Sequence, residues 1–137
     1  MNRSLTSLLL SAAFLVSANA MAAPPKFAIM NNAPVALIDD AVARTIWLEN
    51  LPVKTAEKYP VKKLGYLSEV NGGFDDHKNC VVVARAMQVP VSGKNFTYDP
   101  KKTSITLATQ AGATPEQCSA LAKLKLKEAV QSLVAGL

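Results

Sequence analysis

The sequence has few of the residues from which metal and catalytic sites are usually built. Among its 137 residues are a single histidine, His77, and two cysteines. A structural zinc site takes four Cys or His ligands, and a catalytic zinc takes three protein ligands. One His cannot supply either set when both cysteines form a disulfide, so we predict no metal site and no cofactor. At Asp75, Asp76, His77 and Asn79 we favour a polar turn, with a weak metal site as the alternative.

Motifs for hydrolysis and for phosphate binding are also missing. No serine lies in a G-x-S-x-G sequence, and the Gly72-Gly73 pair lacks the lysine and helix start of a phosphate-binding loop. The carboxylates have no spacing that singles out a general acid and a general base. These absences predict that the protein is not an enzyme.

Arginine and aromatic residues are too scarce for a protein that reads nucleic acids. Lys and Arg together number 15 against 10 Asp and Glu, a net charge of +5, but lysine dominates and aromatic residues make up only 6%. Nucleic-acid readers usually concentrate arginine and stacking aromatics. We therefore expect no nucleic-acid partner. The lysines predict either a solvated basic surface or attraction to an acidic partner or an anionic envelope surface.

A long hydrophobic run occurs at one place, the N-terminus. Arg3 gives this segment a positive start, residues 5–17 are mostly apolar, and Ala20 and Ala22 both offer small-residue cleavage sites. This layout is typical of a secretory signal peptide, whereas a spanning helix needs about 20 apolar residues. We predict that residues 1–22 contain a signal peptide that is removed by cleavage after either Ala20 or Ala22. The mature protein is then expected in the periplasm or outside the cell, without stable membrane insertion.

The two cysteines agree with an exported protein. Oxidising compartments preserve disulfides, and an even number of cysteines in an exported chain predicts that they pair. The alternative, a redox pair, usually has the spacing C-x-x-C, whereas Cys80 and Cys118 lie 38 residues apart. We therefore predict a structural disulfide. By lowering the entropy of the unfolded chain, it should stabilise the fold by about 4 kcal/mol.

Prolines, glycines and apolar periodicity divide the first half of the mature chain. A pair of prolines favours an extended start, so residues 23–33 are predicted to form an extended arm. Apolar residues with a 3.6-residue period predict a helix over 34–50 with Asn32 as its cap. Residues 64–70 are strand-like, and Asn71-Gly72-Gly73 predicts a turn after them.

Two strands are predicted in the second half, and a third, short strand over residues 96–98 is possible after a hairpin turn at residues 92–94. Over residues 80–91, small side chains occupy one face, which lets a helix approach closely. Arg85 on the other face lies either at the rim or in a polar pocket, and we favour the rim. Residues 103–109 alternate, with Ile105 and Leu107 on one side, so one face of this strand should be wet.

The C-terminal helix has the clearest start signal. Thr114-Pro115-Glu116-Gln117 combines a capping Thr, Pro at the first position and Gln three residues after the cap, and the helix should run to about Ala135. Cys118 lies on its apolar stripe, so the disulfide would join this helix to the sheet. The fold class predicted is α+β, a two-layer sandwich with an N-terminal helix, a three- to four-stranded antiparallel sheet and a C-terminal helix. We expect it to form a single domain over residues 34–137.

Compartment, size and the missing catalytic set favour a binding function. The leading hypothesis is a periplasmic domain that binds another exported protein, concretely an inhibitor or immunity protein that blocks an enzyme damaging the envelope or cell wall. The alternatives are an accessory or structural component of an envelope or secretion assembly, and a carrier of a small ligand. The candidate partner-binding residues are turn residues and a tryptophan off the main apolar stripe: Asp75, Asp76, His77, Lys78, Lys94, Lys101, Lys102 and Trp47.

Overall fold

A computed structural model describes residues 26–137, and the predicted signal peptide lies outside the described residues. Helices and strands are both present, which confirms the α+β class. The elements in chain order are β1 (Ile29–Asn32), α1 (Asp40–Asn50), α2 (Val53–Lys58), β2 (Leu64–Phe74), β3 (Cys80–Ser92), β4 (Asn95–Phe96), β5 (Lys102–Gln110) and α3 (Pro115–Ala135).

β3 is the central strand of a mixed sheet. It pairs antiparallel with β2 on one side and with β5 on the other, and its end pairs with the short β4. β1, which lies in the predicted arm, pairs with β2 in parallel. The prediction of a purely antiparallel sheet is therefore wrong. The helical connection through α1 and α2 carries the chain back across the sheet, so that β2 starts at the same end as β1.

The helices cover one face of the sheet. α3 packs against β3 and β5, and α1 lies beside α3. Cys80 at the start of β3 is bonded to Cys118 in the first turn of α3, with the two Cα atoms 5.6 Å apart. This confirms the predicted disulfide. The largest fully buried apolar side chains between the two layers are Trp47, Tyr66, Ile38, Leu126, Val70, Val82 and Val130.

The start of α3 has the predicted capping box. The Thr114 side chain accepts a hydrogen bond from the Gln117 backbone N–H, and the Gln117 side chain accepts one from the Thr114 backbone N–H. Both bonds satisfy donors that the first turn of a helix leaves free. The helix ends at Ala135, as predicted.

The first helix begins later than predicted. α1 starts at Asp40, and its cap is Asp39, whose carboxylate accepts the Val42 N–H at 2.8 Å. Asn32 cannot cap a helix because it is the last residue of β1, paired with Glu69. Residues 34–38 form a separate turn that buries Leu37 and Ile38.

The predicted turn at Asn71-Gly72-Gly73 is also wrong, because these residues continue β2 opposite residues 81–83. The turn lies at residues 75–79 instead. A Cβ on Gly72 would lie 2.3 Å from the Val81 carbonyl oxygen. This glycine therefore permits close approach of two strands and does not turn the chain.

Candidate functional site

The two faces of the sheet are covered very differently, as alternate residues of β3 show. Towards the helices, Cys80, Val82, Ala84 and Ala86 are completely buried. On the opposite side Val81, Val83 and Arg85 are only partly buried. Small side chains occur where the helix lies close, as predicted. We call the side of the sheet that bears Val81, Val83 and Arg85 the open face.

A hairpin covers one end of the open face. Phe96 of β4 packs against the buried cluster of Leu67, Met87 and Val89. A Cβ on Gly65 would lie 2.6 Å from the Phe96 ring, so the missing side chain leaves room for that ring. Beyond this end, towards the β2–β3 turn, no described element lies over the open face.

β5 places its aliphatic side chains on this uncovered part. Ile105 and Leu107 are 55% and 65% exposed. Thr106 points to the other side, where its hydroxyl donates a 2.7 Å hydrogen bond to the Lys125 backbone carbonyl of α3. The alternation predicted for this strand is confirmed. The wet face, however, is the one that carries the aliphatic residues.

The middle of the open face carries a charged cluster rather than apolar residues. Arg85 lies half-way along β3, and not at the rim as we favoured, with its guanidinium Nη1 3.0 Å from the Glu69 carboxylate. The same nitrogen donates to the Tyr98 hydroxyl at 3.0 Å, and that hydroxyl lies 3.3 Å from the Glu69 carboxylate. Because each side chain is held by the other two, the cluster presents an oriented arginine and tyrosine to solvent.

Val81, Val83, Ile105 and Leu107 form what we call the open strip, which runs from the charged cluster towards the β2–β3 turn. Val83 pairs with Leu107, and Arg85 pairs with Ile105. Where the strip meets β2, Asn71 and Gly73 border a shallow concavity of about 410 Å³ together with Val81 and Val83. Apolar side chains, a concavity and an adjacent ion pair are therefore contiguous on one surface.

Two of the predicted contact residues of the β2–β3 turn, Asp75 and Lys78, have structural roles. The Asp75 carboxylate accepts hydrogen bonds from the backbone N–H groups of His77 and Asn79 and from the Asn79 side chain, at 2.8–3.0 Å. These bonds, led by that from the Asn79 side chain, lower the pKa of Asp75. Lys78 has φ near +60°, which closes the turn. Within residues 26–137, no three His, Cys, Asp or Glu side chains are grouped so as to hold a metal ion.

The structure does not bring the predicted contact residues together. Asp75, Asp76, His77 and Lys78 precede β3, whereas Lys94 follows it, and 13 residues of extended strand span roughly 40 Å. Lys101 forms an ion pair with Asp99, and the Lys102 ammonium donates to the Gly136 carbonyl. The two turns therefore cannot act as one small site.

Trp47 is not a surface contact. It is completely buried, its indole N–H donates a 2.6 Å hydrogen bond to the Ser68 hydroxyl, and its ring lies 5.2 Å from that of Tyr66. Burial also raises the pKa of Tyr66. The prediction of an exposed contact is wrong because the buried hydroxyl gives the indole a partner inside the core.

Sequence reasoning missed Glu69 and Tyr98 and did not assign Ile105 and Leu107 to a surface. The available signal was the uncharged, alternating sequence of residues 103–109. Alternation alone shows that two faces differ, but not which of them meets the helices.

Over residues 26–137, no helix combines the length and the apolar character needed to cross a bilayer.

Comparisons with known proteins give a likeness to solved structures and none to sequence families. No protein-family model and no curated protein sequence matches the chain. A solved structure of a PelC dodecamer, a point variant of the protein from Paraburkholderia phytofirmans, is similar over 82% of this chain and 91% of that chain, with 12% identity and a TM-score of 0.43. At this level the likeness carries no argument about function.

Proposed function

We propose that this protein is an exported binding domain whose partner is another protein, contacted through the open strip. The observation that carries the proposal is the orientation of β5, which turns Ile105 and Leu107 to solvent and Thr106 to the helices. Burying an aliphatic side chain stabilises a fold by about 1.5–3 kcal/mol. A strand that served only the core would gain this stabilisation by turning its aliphatic side chains towards the helices. The exposed pair is therefore typical of an interaction surface.

The neighbouring polar residues support the same use of this surface. Arginine and tyrosine are enriched among the residues that contribute most to protein interfaces. Arg85 and Tyr98 are already oriented by Glu69, so a partner would restrict their side chains little further. The open strip would supply the apolar centre of the contact, and this cluster part of its polar border.

The disulfide supports an exported location. Such bonds persist in oxidising compartments and are rare in the cytosol, and Cys80–Cys118 is formed. On this ground, together with the signal-peptide pattern of residues 1–22, we propose a periplasmic location. An extracellular protein would meet the same conditions.

The specific form that we propose is an inhibitor or immunity protein directed against an enzyme that damages the envelope or cell wall. The contact then involves a face of the sheet and not the turns, because the two turn groups lie at opposite ends of β3. A flat surface of this kind would block an enzyme by covering the entrance to its cleft.

The test compares three forms of the tagged exported chain in affinity capture from envelope extract. Leu107→Glu places a charge on the open strip, while Leu124→Glu is its matched control, because Leu124 is 50% exposed on α3 in the other layer. We expect wild type and Leu124→Glu to retain one stoichiometric protein, and Leu107→Glu to retain at least about tenfold less. Equal capture by all three forms, or none by wild type, would contradict the proposal.

The activity of the captured protein separates the inhibitor from the alternatives. An enzyme that loses activity in proportion to added chain, reaching completion at one equivalent, supports the inhibitor. Capture of a large complex without inhibition would instead assign the chain to an envelope assembly.

A further inference from the structure

β5 is an edge strand without the usual protection. One side of it pairs with β3, and no strand among residues 26–137 pairs with the other. Natural edge strands are commonly guarded by charges, proline or a bulge. Between Lys102 and Gln110 the strand reads TSITLAT, which contains no charge, proline or glycine. Its outward backbone groups are therefore free to pair with another strand.

The same seven residues are nearly identical in chemistry when read from either end. Antiparallel pairing of two copies about Thr106 sets Thr103 opposite Thr109 and Ser104 opposite Ala108. It also sets Ile105 opposite Leu107, twice. Threonine pairs and aliphatic pairs are favourable cross-strand neighbours.

Charge and side-chain direction agree with this register. Ile105 and Leu107 both lie on the open face, so pairing gathers four aliphatic side chains into one patch at the two-fold axis. Lys102 lies opposite Gln110 of the second copy, so no lysine faces a lysine. Two chains that each carry a net positive charge can therefore approach along an uncharged line.

We propose that two copies of this chain associate through β5 in this antiparallel register and form one continuous sheet. The arrangement is a two-fold, isologous interface made by strand addition. A seven-residue strand pair is a small interface, so the dimer should be reversible, with a Kd on the order of micromolar. The inference goes beyond the proposed function, because it concerns the edge of the sheet and a second copy of the chain.

An extended segment of a different protein could also add to this edge. Such a partner would require only free backbone groups and apolar pockets. It would not require the order of residues 103–109 to read alike in both directions, and that symmetry favours a second copy.

The test is a charge exchange at positions that face each other across the proposed axis. Ile105→Lys/Leu107→Lys sets lysine opposite lysine twice, whereas Ile105→Lys/Leu107→Glu sets lysine opposite glutamate twice. The two variants differ only in the sign of one charge. Sedimentation equilibrium over about 1–500 µM gives the dimer Kd of each, and thermal melts show whether each variant is folded.

We expect wild type and the lysine–glutamate variant to dimerise, and the double-lysine variant to have a Kd at least about tenfold larger. A wild-type chain that is monomeric throughout this range would overturn the proposal and leave the edge to a different protein. A lysine–glutamate variant no better than the double-lysine variant would overturn the register.

Hydrogen exchange of the wild-type chain gives a second readout that needs no substitution. Backbone amides within residues 103–109 should exchange more slowly at high than at low protein concentration, while those of β1 at the other edge should not change. Concentration-independent exchange in β5 would also overturn the proposal. The lysine–glutamate variant keeps the dimer but lacks the apolar strip, so loss of partner capture by it would not count against dimerisation.

Discussion

The two faces of β3 are built by different rules, although their residues alternate along one strand. Ala84 is completely buried under α3, whereas Val83 and Arg85, its neighbours in sequence, lie on the open face. The covered face is limited by the space that a bonded and packed helix leaves. The open face has no such limit and holds a large aliphatic pair and an arginine. The contribution of a side chain to stability therefore depends on the layer that covers it.

The largest change in stability is expected when the disulfide on the covered face is removed. Replacement by Cys80→Ala/Cys118→Ala should lower the free energy of unfolding by about 4 kcal/mol, because the unfolded chain regains the entropy of an open loop. Denaturant titration of both proteins measures the difference. Equal midpoints, or two reactive thiols in the folded wild type, would contradict it.

The second-largest change in stability is expected when a buried hydrogen bond on the same face is removed. Trp47→Phe leaves the Ser68 hydroxyl, which is completely buried, without its indole donor. We expect a loss of about 3 kcal/mol from the missing bond and reduced burial. Adding Ser68→Ala should recover part of this loss. A double variant as unstable as the sum of the two single variants would argue against the bond.

A third experiment tests the two faces on adjacent residues. Ala84→Leu should destabilise the protein by about 2 kcal/mol, because three added carbons have no space under α3. Val83→Leu adds one carbon on the open face and should change stability by less than about 0.5 kcal/mol. Thermal melts of the two variants measure the difference. Similar melting temperatures would show that α3 can move away from the sheet.

The smallest effect concerns the charged cluster of the open face. Arg85→Met removes the ion pair with Glu69. The Arg85 side chain is 37% exposed and that of Glu69 is 21% exposed. We expect a change of less than about 1 kcal/mol, since partly exposed pairs contribute little. The amount of partner captured should nevertheless fall clearly below that captured by the wild-type protein. A loss of several kcal/mol would instead make the cluster a structural element.

Elements with strong local signals were predicted well from the sequence. The capping box fixed the start of α3, and the alternation of small and large residues identified β3 and its covered face. The cysteine pairing followed from compartment and count. The cap and the alternation depend on near neighbours in the chain, which the sequence displays directly, whereas the cysteine pairing, 38 residues apart, had only one possible partner for each cysteine.

The errors arose where distant residues decide the outcome. Asn32 has the chemistry of a cap but is used in β1, and Gly72 has the chemistry of a turn but is used for close approach of β2 to β3. Trp47 is buried because Ser68, 21 residues away, receives its N–H. The direction of Ile105 and Leu107 depends on which side α3 covers. No local pattern contains that information, and it is the basis of the candidate site.

The link between Cys80 and Cys118 also determines how the chain responds to cutting and to force. It encloses β3, β4, β5 and the start of α3 in a covalent loop. A protease that cleaves at the exposed Gly93 turn therefore leaves both pieces attached to each other. A pull on the ends of the molecule likewise cannot extend this loop, which withholds roughly 130 Å of chain from stretching.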